Sequence, residues 1–455
     1  MSLKSINPYT GKIIKTYSEY SESKIKAIIN QTQAAWYKLL ETSFKQRSVW
    51  MNNLAKSLLN EKEQLARLMA EEVGKPLKDG IAEIEKCAAV CKYYAENTES
   101  FLQDEMVETE ATKSYISYQP LGIVLAIMPW NFPFWQVFRF LAPALMAGNA
   151  GLLKHASNTT GCALAIENMV LKSGFPENCF RALIVSGSKL EKTITNPLIK
   201  AITLTGSTEA GKKVAATSGS LIKKTVLELG GSDPYIILKD ADLELAAETC
   251  VNSRLINNGQ SCIAAKRFIV EKEVAKEFTQ LVKAKMEKRT FGNPLDRKFD
   301  LGTMAREDLR NSLHGQVLES VKQGAKCILG GYIPEGKGAF YPPTILTNVK
   351  KGMLAYEEEI FGPVATIITV KSEEEAIKIA NDTSFGLGGA IFTQDIKKGE
   401  KIAREKLQAG SCFVNSLVKS DPRLPFGGIN ESGYGRELSY HGIKEFVNIK
   451  TVYIS

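Results

Sequence analysis

Ile-Val-Leu-Ala-Ile-Met-Pro-Trp-Asn-Phe-Pro, residues 123–133, passes from six apolar positions straight into a turn bracketed by two prolines. The run reads as a strand, Ile123–Met128, and the apolar spacing after it as a helix over Phe134–Met146. The alternation continues toward the C-terminus. Strands are expected at Gly151–Lys154, Arg181–Val185, Ala201–Thr205 and Lys224–Leu227, with helices at Thr160–Ser173, Lys189–Thr195 and Thr208–Ala216 between them. Such repetition specifies an α/β fold with a parallel, doubly wound sheet, whose ligands sit beyond the carboxyl ends of the strands.

The first hundred residues read instead as helices. Ser21–Leu40, Ser43–Leu59 and Lys62–Val73 carry apolar residues at three- and four-residue spacing, Gly74-Lys75-Pro76 stops the run, and a further helix covers Ile81–Phe101. Alternation in Ser114–Tyr118 predicts a hairpin strand, and Lys444–Ile454 a strand able to pair with it in this or another subunit. Residues 232–430 repeat the α/β pattern, with strands near Tyr235–Leu238, Arg267–Val270, Val364–Thr369 and Ser411–Val414, and form a second domain.

At 455 residues the chain is long enough for two or three domains, and 44% hydrophobic with 24% charged residues is ordinary for a soluble protein. The net charge of +8 is spread over helix faces beside glutamates, with no basic stripe interleaved with aromatics, so nucleic acid is not expected as a partner. The apolar stretch Leu121–Leu153 is broken by three prolines and Arg139, which argues against a membrane span, and no secretory signal opens the sequence. Eight scattered cysteines fit a reducing cytoplasm, and three separated histidines argue against a histidine-based metal site or a Ser-His-Asp triad.

Three segments carry chemistry. Asn-Asn-Gly-Gln-Ser-Cys at 257–262 puts Cys262 on a polar turn with Gly259; a buried structural cysteine is the bland alternative, but its neighbours are too polar for a core. Leu-Glu-Leu-Gly-Gly at 227–231 ends an apolar strand on Glu228, whose pKa should rise among Val226, Leu227 and Leu229, suiting it to activate water. Asn131 either caps the following helix or donates to an oxyanion. Thr205-Gly206-Ser207-Thr208-Glu209-Ala210-Gly211 joins a strand to a helix, where backbone N–H groups hold phosphate. Arg139 is the one charged residue apart from Lys154 near this apolar stretch and shares a helix face with Trp135; if buried it needs either a structural carboxylate or an anionic substrate.

Taken in order, Ile6-Asn7-Pro8-Tyr9-Thr10-Gly11, Pro129–Pro133, Thr205-Gly206-Ser207, Glu228-Leu229-Gly230-Gly231, Gly259–Cys262, Glu358-Glu359-Ile360-Phe361-Gly362-Pro363 and Pro425-Phe426-Gly427-Gly428 resemble the aldehyde dehydrogenase superfamily from about residue 6 to the C-terminus. Leu153–Ala156, Arg423–Gly428 and Ser432–Leu438 look nearest to the short succinate-semialdehyde dehydrogenases. The resemblance implies a Rossmann-type cofactor domain (1–110 and 121–230), an α/β catalytic domain (231–430) and a small β oligomerisation element (111–120 and 431–455) of a homodimer or homotetramer. It also implies that Cys262 forms a thiohemiacetal held by Asn131 and its own N–H, that hydride leaves to nicotinamide, and that Glu228 activates the water that hydrolyses the thioester. Trp130, Lys154, Ser157, Thr205, Gly206, Ser207, Gly211, Leu229, Glu359 and Phe361 form the implied cofactor set, and Arg139, Trp135, Ser261, Ser420 and Phe426 the substrate set.

Two departures from the family pattern inform the expectation. Where many NAD-preferring members read Lys-Pro-x-Glu, this chain reads Lys154-His155-Ala156-Ser157, which removes a carboxylate that would repel a 2′-phosphate, so NADP is preferred and NAD usable. Some semialdehyde dehydrogenases carry an arginine six residues before the nucleophile; Ile256 stands there, leaving Arg139 to bind the carboxylate of succinate semialdehyde. Other medium-chain or aromatic aldehydes are the alternative substrates.

Overall fold

In the computed structural model, which describes residues 2–455, the alternating apolar runs form two mostly parallel sheets. The first has six strands in the order Gly433–Tyr434, Lys224–Glu228, Ile199–Thr205, Ile123–Met128, Ala150–His155 and Phe180–Ala182. All are parallel except Gly433–Tyr434, which runs antiparallel to Lys224–Glu228 with Gly433 opposite Glu228. Ile123–Met128 is central and buried along its whole length, as a strand covered on both faces must be. The chain leaves it in one direction toward Ala150–His155 and returns on its other side as Ile199–Thr205. The strand order therefore reverses at this pair, where a crevice opens at the carboxyl ends.

The second sheet has seven strands in the order Lys326–Leu329, Thr344–Thr347, Val364–Val370, Arg267–Glu271, Pro234–Ile237, Gly388–Phe392 and Ser411–Val414, with only the first antiparallel. A third, three-stranded sheet pairs Val447–Ile454 with Lys113–Pro120 of the same chain, and Lys113–Pro120 with Glu105–Met106. The tail strand is an edge whose residues beyond Val447 are almost all exposed or nearly so. Gly433–Tyr434, within the stretch expected to serve oligomerisation, instead joins the cofactor-side sheet.

The first four long helices are α1 (Glu22–Leu40), α2 (Phe44–Val73), α3 (Leu77–Leu102) and α4 (Trp135–Met146), of which α4 reaches the crevice through Gln136. Helix α2 is one continuous 30-residue element, not two, because Asn60 and Glu61 tolerate helical backbone and no glycine or proline interrupts them. The expected strand Arg181–Val185 shrinks to Phe180–Ala182. Ahead of α1 lies a hairpin, Ser2–Ile6 with Ile13–Ser18, in a region read as helical. Its strands are mostly exposed and so lack the one-sided apolar alternation that marks a strand in sequence.

Helix α4 begins without a cap of its own. Its first N–H groups, from Phe134 and Trp135, both donate to Oε1 of Glu83 on α3, at 2.8 and 2.9 Å. The other oxygen of Glu83 pairs with buried Lys75, whose ammonium also lies 3.9 Å from the centre of the Phe132 ring. Glu83→Ala would leave a buried lysine without its carboxylate and a helix start without acceptors. An unfolding free energy lower by about 3–5 kcal/mol, measured by urea titration, is expected.

Candidate active site

The crevice at the strand reversal is a cavity of about 280 Å³. Trp130 and Asn131, from the turn after Ile123–Met128, form one side, and Thr205, Gly206 and Ser207 form another. Leu229 and Cys262 close it toward the second sheet, with Glu359 and Phe361 across the mouth. Nine of the residues singled out in the sequence thus line one space. Gln136 and Leu309 line it too, and neither was anticipated from the sequence.

The nucleophile loop is held open by its own asparagines. Asn257 and Asn258 adopt left-handed backbone, which asparagine tolerates better than most residues. Their side chains then serve the neighbouring chain: Asn257 Nδ2 donates to the Asn131 carbonyl at 2.7 Å, and Asn258 Nδ2 to that of Thr303 at 2.8 Å. Gly259, at φ +75°, abuts the Gly362-Pro363 peptide so closely that a Cβ would lie 2.2 Å from the Gly362 carbonyl carbon. Only glycine fits there, and the contact locks the loop to the segment carrying Glu359 and Phe361. Lys266 Nζ fastens the far end by donating to the Cys262 carbonyl at 2.6 Å.

Cys262 is part-exposed in the cavity, and burial pushes its thiol up to about 12, against the pull of Arg139 and Lys266. Glu228 is 2% exposed, and neither of its oxygens has a hydrogen-bond partner among the described residues. Burial first, and then the Glu437 carboxylate, raise its pKa well above the ordinary value, while Arg139 and Arg436 oppose the rise. Burial thus favours the protonated form of both groups.

Asn131 does not cap α4, because Glu83 does. Its Nδ2 donates to the Gln260 carbonyl at 3.1 Å, and its Oδ1 is buried without a partner. One hydrogen of that amide stays free for another acceptor. Nearby, His155 ties two strand ends together: its Nε2 meets the Pro133 carbonyl at 2.9 Å, while Nδ1 accepts the Ala156 N–H at 2.9 Å. Burial lowers its pKa to about 4, so it stays a neutral strut.

The remaining cofactor candidates separate. Ser207 caps the helix Thr208–Gly219 by accepting the Ala210 N–H, so the helix start faces the cavity beside Gly206. Glu359 Oε1 accepts the Gly231 N–H at 3.1 Å and lies 3.2 Å from Lys266 Nζ. A Cβ on Gly230 would come within 2.5 Å of the other Glu359 oxygen, so the backbone there is shaped for close approach. Phe361 stands edge-on to Trp130 at 5.8 Å. Lys154 and Ser157 lie apart from this cavity, at the end of Ala150–His155, where burial lowers the lysine and no carboxylate pairs with it among the described residues. Gly211 packs against Leu229 and leaves the cavity wall to other residues.

On the substrate side, Arg139 Nε lies 2.6 Å from Glu437 Oε2 and its guanidinium stacks 4.7 Å from the Phe426 ring centre. The structural carboxylate, of the two alternatives, is present. Glu437 comes from the segment just after Gly433–Tyr434 and had no signal in the sequence. Ser261 is buried beneath the loop and does not line the cavity. Trp135 and Ser420 touch each other, Nε1 donating to Oγ at 3.2 Å, and the Lys86 ammonium donates to the same Oγ at 2.8 Å.

A two-sheet α/β fold carries a cysteine and an asparagine on one cavity at the carboxyl ends of the first sheet's strands. The chain belongs to the aldehyde dehydrogenase family, whose model matches residues 1–452. It is 47% identical over 455 residues to a probable succinate-semialdehyde dehydrogenase (NADP+) of Synechocystis sp., covering 100% of each chain. It is 46% identical over 458 residues to succinate-semialdehyde dehydrogenase (NADP+) 1 of Mycobacterium tuberculosis, again covering 100% of each. Among solved structures, a succinic semialdehyde dehydrogenase of Streptococcus pyogenes in complex with NADP+ matches at 34% identity with TM-score 0.97, covering 99% of both chains. A betaine aldehyde dehydrogenase of Staphylococcus aureus matches at 30% identity with TM-score 0.95, covering 99% of this chain and 92% of its own. That neighbour is named for a different aldehyde, so the fold alone does not select the substrate. No helix is long and apolar enough to cross a membrane among the described residues.

Arg139 is the cation that reconciles two buried carboxylates. Arg139→Met is expected to lower stability by about 3 kcal/mol near pH 8. The loss should shrink toward pH 6. Burial raises Glu437, so above the ordinary carboxylate range the folded protein binds more protons than the unfolded chain, and its stability falls as pH rises. Thermal melts of both proteins at the two pH values measure this, and an equal loss at both contradicts it.

Proposed function

We propose that this chain oxidises succinate semialdehyde to succinate with NADP+, NAD+ being usable in its place. The observation that carries the reading is the single cavity that joins Cys262 and Asn131 to Gly206, Ser207, Glu359 and Phe361. The names of relatives at 46–47% identity over the whole chain support both the aldehyde and the cofactor. The chain's residues fit a dinucleotide, through the helix start at Ser207 and the side-chain-free backbone at Gly230 beside Glu359. A soluble cytoplasmic homodimer or homotetramer is part of the same reading, and the exposed edge strand Val447–Ile454, with Ile449 and Tyr453 uncovered, supports association.

In this mechanism Cys262 is the nucleophile: its thiol proton leaves to water, and its Sγ bonds to the aldehyde carbon as the carbonyl π electrons move onto oxygen. The oxygen that becomes negative receives the free Asn131 Nδ2 hydrogen and the Cys262 N–H. When bound, the nicotinamide supplies the acceptor for the hydride that leaves this adduct, so that Cys262 carries a thioester. Glu228 then removes a proton from water as it attacks the thioester carbon, and succinate departs with the thiol regenerated. Arg139 and Arg436 oppose the rise that burial imposes on Glu228. Lys154 and Ser157 would hold the 2′-phosphate, the ammonium as a charge and the hydroxyl as a donor.

Two measurements test this. Cys262→Ala should abolish turnover, and Glu228→Gln should leave acylation measurable as a burst of reduced cofactor while slowing deacylation about a hundredfold. The ratio of kcat/KM for NADP+ over NAD+ should exceed one, and Ser157→Glu should move it toward NAD+ by placing a carboxylate against the phosphate. A wild-type ratio well below one contradicts the cofactor assignment.

A further inference from the structure

Lys266 follows the nucleophile closely in the chain and was not singled out by the sequence. Its backbone is fixed at the entrance to the strand Arg267–Glu271. There its N–H donates to the Asp233 carbonyl at 3.1 Å, and its carbonyl accepts the Thr366 N–H at 3.2 Å. From this anchor the side chain folds back onto the loop that precedes it. Nζ donates to the Ser261 carbonyl at 3.0 Å and to the Cys262 carbonyl at 2.6 Å, with the Ala264 carbonyl at 3.4 Å. The lysine is 1% exposed and does not line the Cys262 cavity, so it lies behind the wall that Cys262 forms.

Burying an ammonium is costly unless a counter-charge accompanies it, and clamping a loop does not require a charge. A neutral side chain ties the same loop elsewhere: Asn257 Nδ2 donates to the Asn131 and Gln260 carbonyls at 2.7 and 3.1 Å. For Lys266 the counter-charge is Glu359, whose Oε1 lies 3.2 Å from Nζ and which borders the cavity. Where the charge sits matters for the chemistry. The peptide joining Ser261 to Cys262 is trans, so its N–H points opposite to its C=O. Its C=O is the Ser261 carbonyl, drawn to Lys266 and to the Ala264 N–H at 3.2 Å. Its N–H is that of Cys262, which donates to no group among the described residues. An ammonium on the carbonyl of a peptide draws electron density from the N–H and makes it the stronger donor. The same cation acts on the thiol, where burial raises Cys262 and Arg139 and Lys266 oppose the rise.

We propose that Lys266 is a positioning residue for the oxyanion. By holding the Ser261 and Cys262 carbonyls to its own side, it presents the Cys262 N–H to the developing negative charge and strengthens it as a donor. Asn131 supplies the other donor from the facing turn, so the oxygen meets one side-chain amide and one backbone amide polarised from behind. Lys266 acts only through the backbone it holds, and Glu359 balances its charge from the cavity side. This role rests on the cysteine-based aldehyde oxidation given above.

The test is the first turnover, followed as reduced cofactor by stopped flow with enzyme in excess over succinate semialdehyde and NADP+ saturating. Wild type, Lys266→Met and Lys266→Gln are compared, with thermal melts and the Kd for NADP+ from tryptophan fluorescence measured alongside. Lys266→Met should slow the first turnover by about 10- to 100-fold, the range for losing hydrogen bonds to a charged group. KM for the aldehyde and Kd for NADP+ should stay near their wild-type values, because the lost interaction serves the transition state. Lys266→Gln keeps an N–H donor without the charge and should fall between the two. A wild type that reduces cofactor with neither succinate semialdehyde nor butanal overturns the functional reading and the role of Lys266 together. An unchanged first turnover in Lys266→Met, or a loss that resides in KM and Kd, overturns the role of Lys266 alone. Should Lys266→Met fail to fold, Lys266→Gln carries the same comparison, with a loss of about tenfold confined to the first-turnover rate.

Discussion

Glu83 bonds to two N–H groups at the start of α4 and to the Lys75 ammonium, all within the protein interior. Much of the site follows from that carboxylate. A helix beginning in a buried place must have its first donors satisfied, and the usual local solution is a side chain just before the first turn. Asn131 stands near enough to be recruited for that task. Because a residue from another helix performs it, the Asn131 amide remains turned toward Gln260 and the nucleophile. The same clamp fixes the azimuth of α4 and with it the directions of Trp135, Gln136 and Arg139.

The site is also an arrangement of charges with little water to screen them. Glu228 and Glu437 are both buried, and two carboxylates so placed cannot both ionise cheaply. Arg139 lowers the cost for each, while the Cys262 thiol, raised by its own burial, feels Arg139 from one side and Lys266 from the other. One arginine therefore opposes, at both the nucleophile and the base, the rise that burial imposes. A cation already spent in this way is poorly suited to discriminate substrates, since any anion drawn to it must compete with Glu437.

The parallel sheets were legible because a strand covered on both faces writes itself as an unbroken apolar run, as at Ile123–Met128. Cys262, Asn131 and Glu228 were legible because each breaks its surroundings: a thiol on a polar turn, an amide among aromatics, a carboxylate ending an apolar strand. The hairpin Ser2–Ile6 with Ile13–Ser18 was not, since exposed strands carry no one-sided alternation. Glu437 and Glu83 were missed because partners far apart in sequence give no local sign. Glu83 did leave a trace. Gly80, Ile84, Cys87 and Cys91 mark the buried stripe of α3, and Glu83 falls on it, where an unpaired carboxylate would be costly. Arg139 raised the right question in the sequence, and only the fold could answer it with Glu437.

Helix α3 thus does two separable things along one face. At Glu83 it fixes the geometry that any aldehyde needs, by holding the start of α4 and freeing Asn131. One turn on, at Lys86, it presents an ammonium to the Ser420 hydroxyl and the Trp135 ring. The first contact is between protein groups whose charges cancel, and changing it unsettles the fold. The second joins a charge to neutral groups, a hydroxyl and an aromatic face.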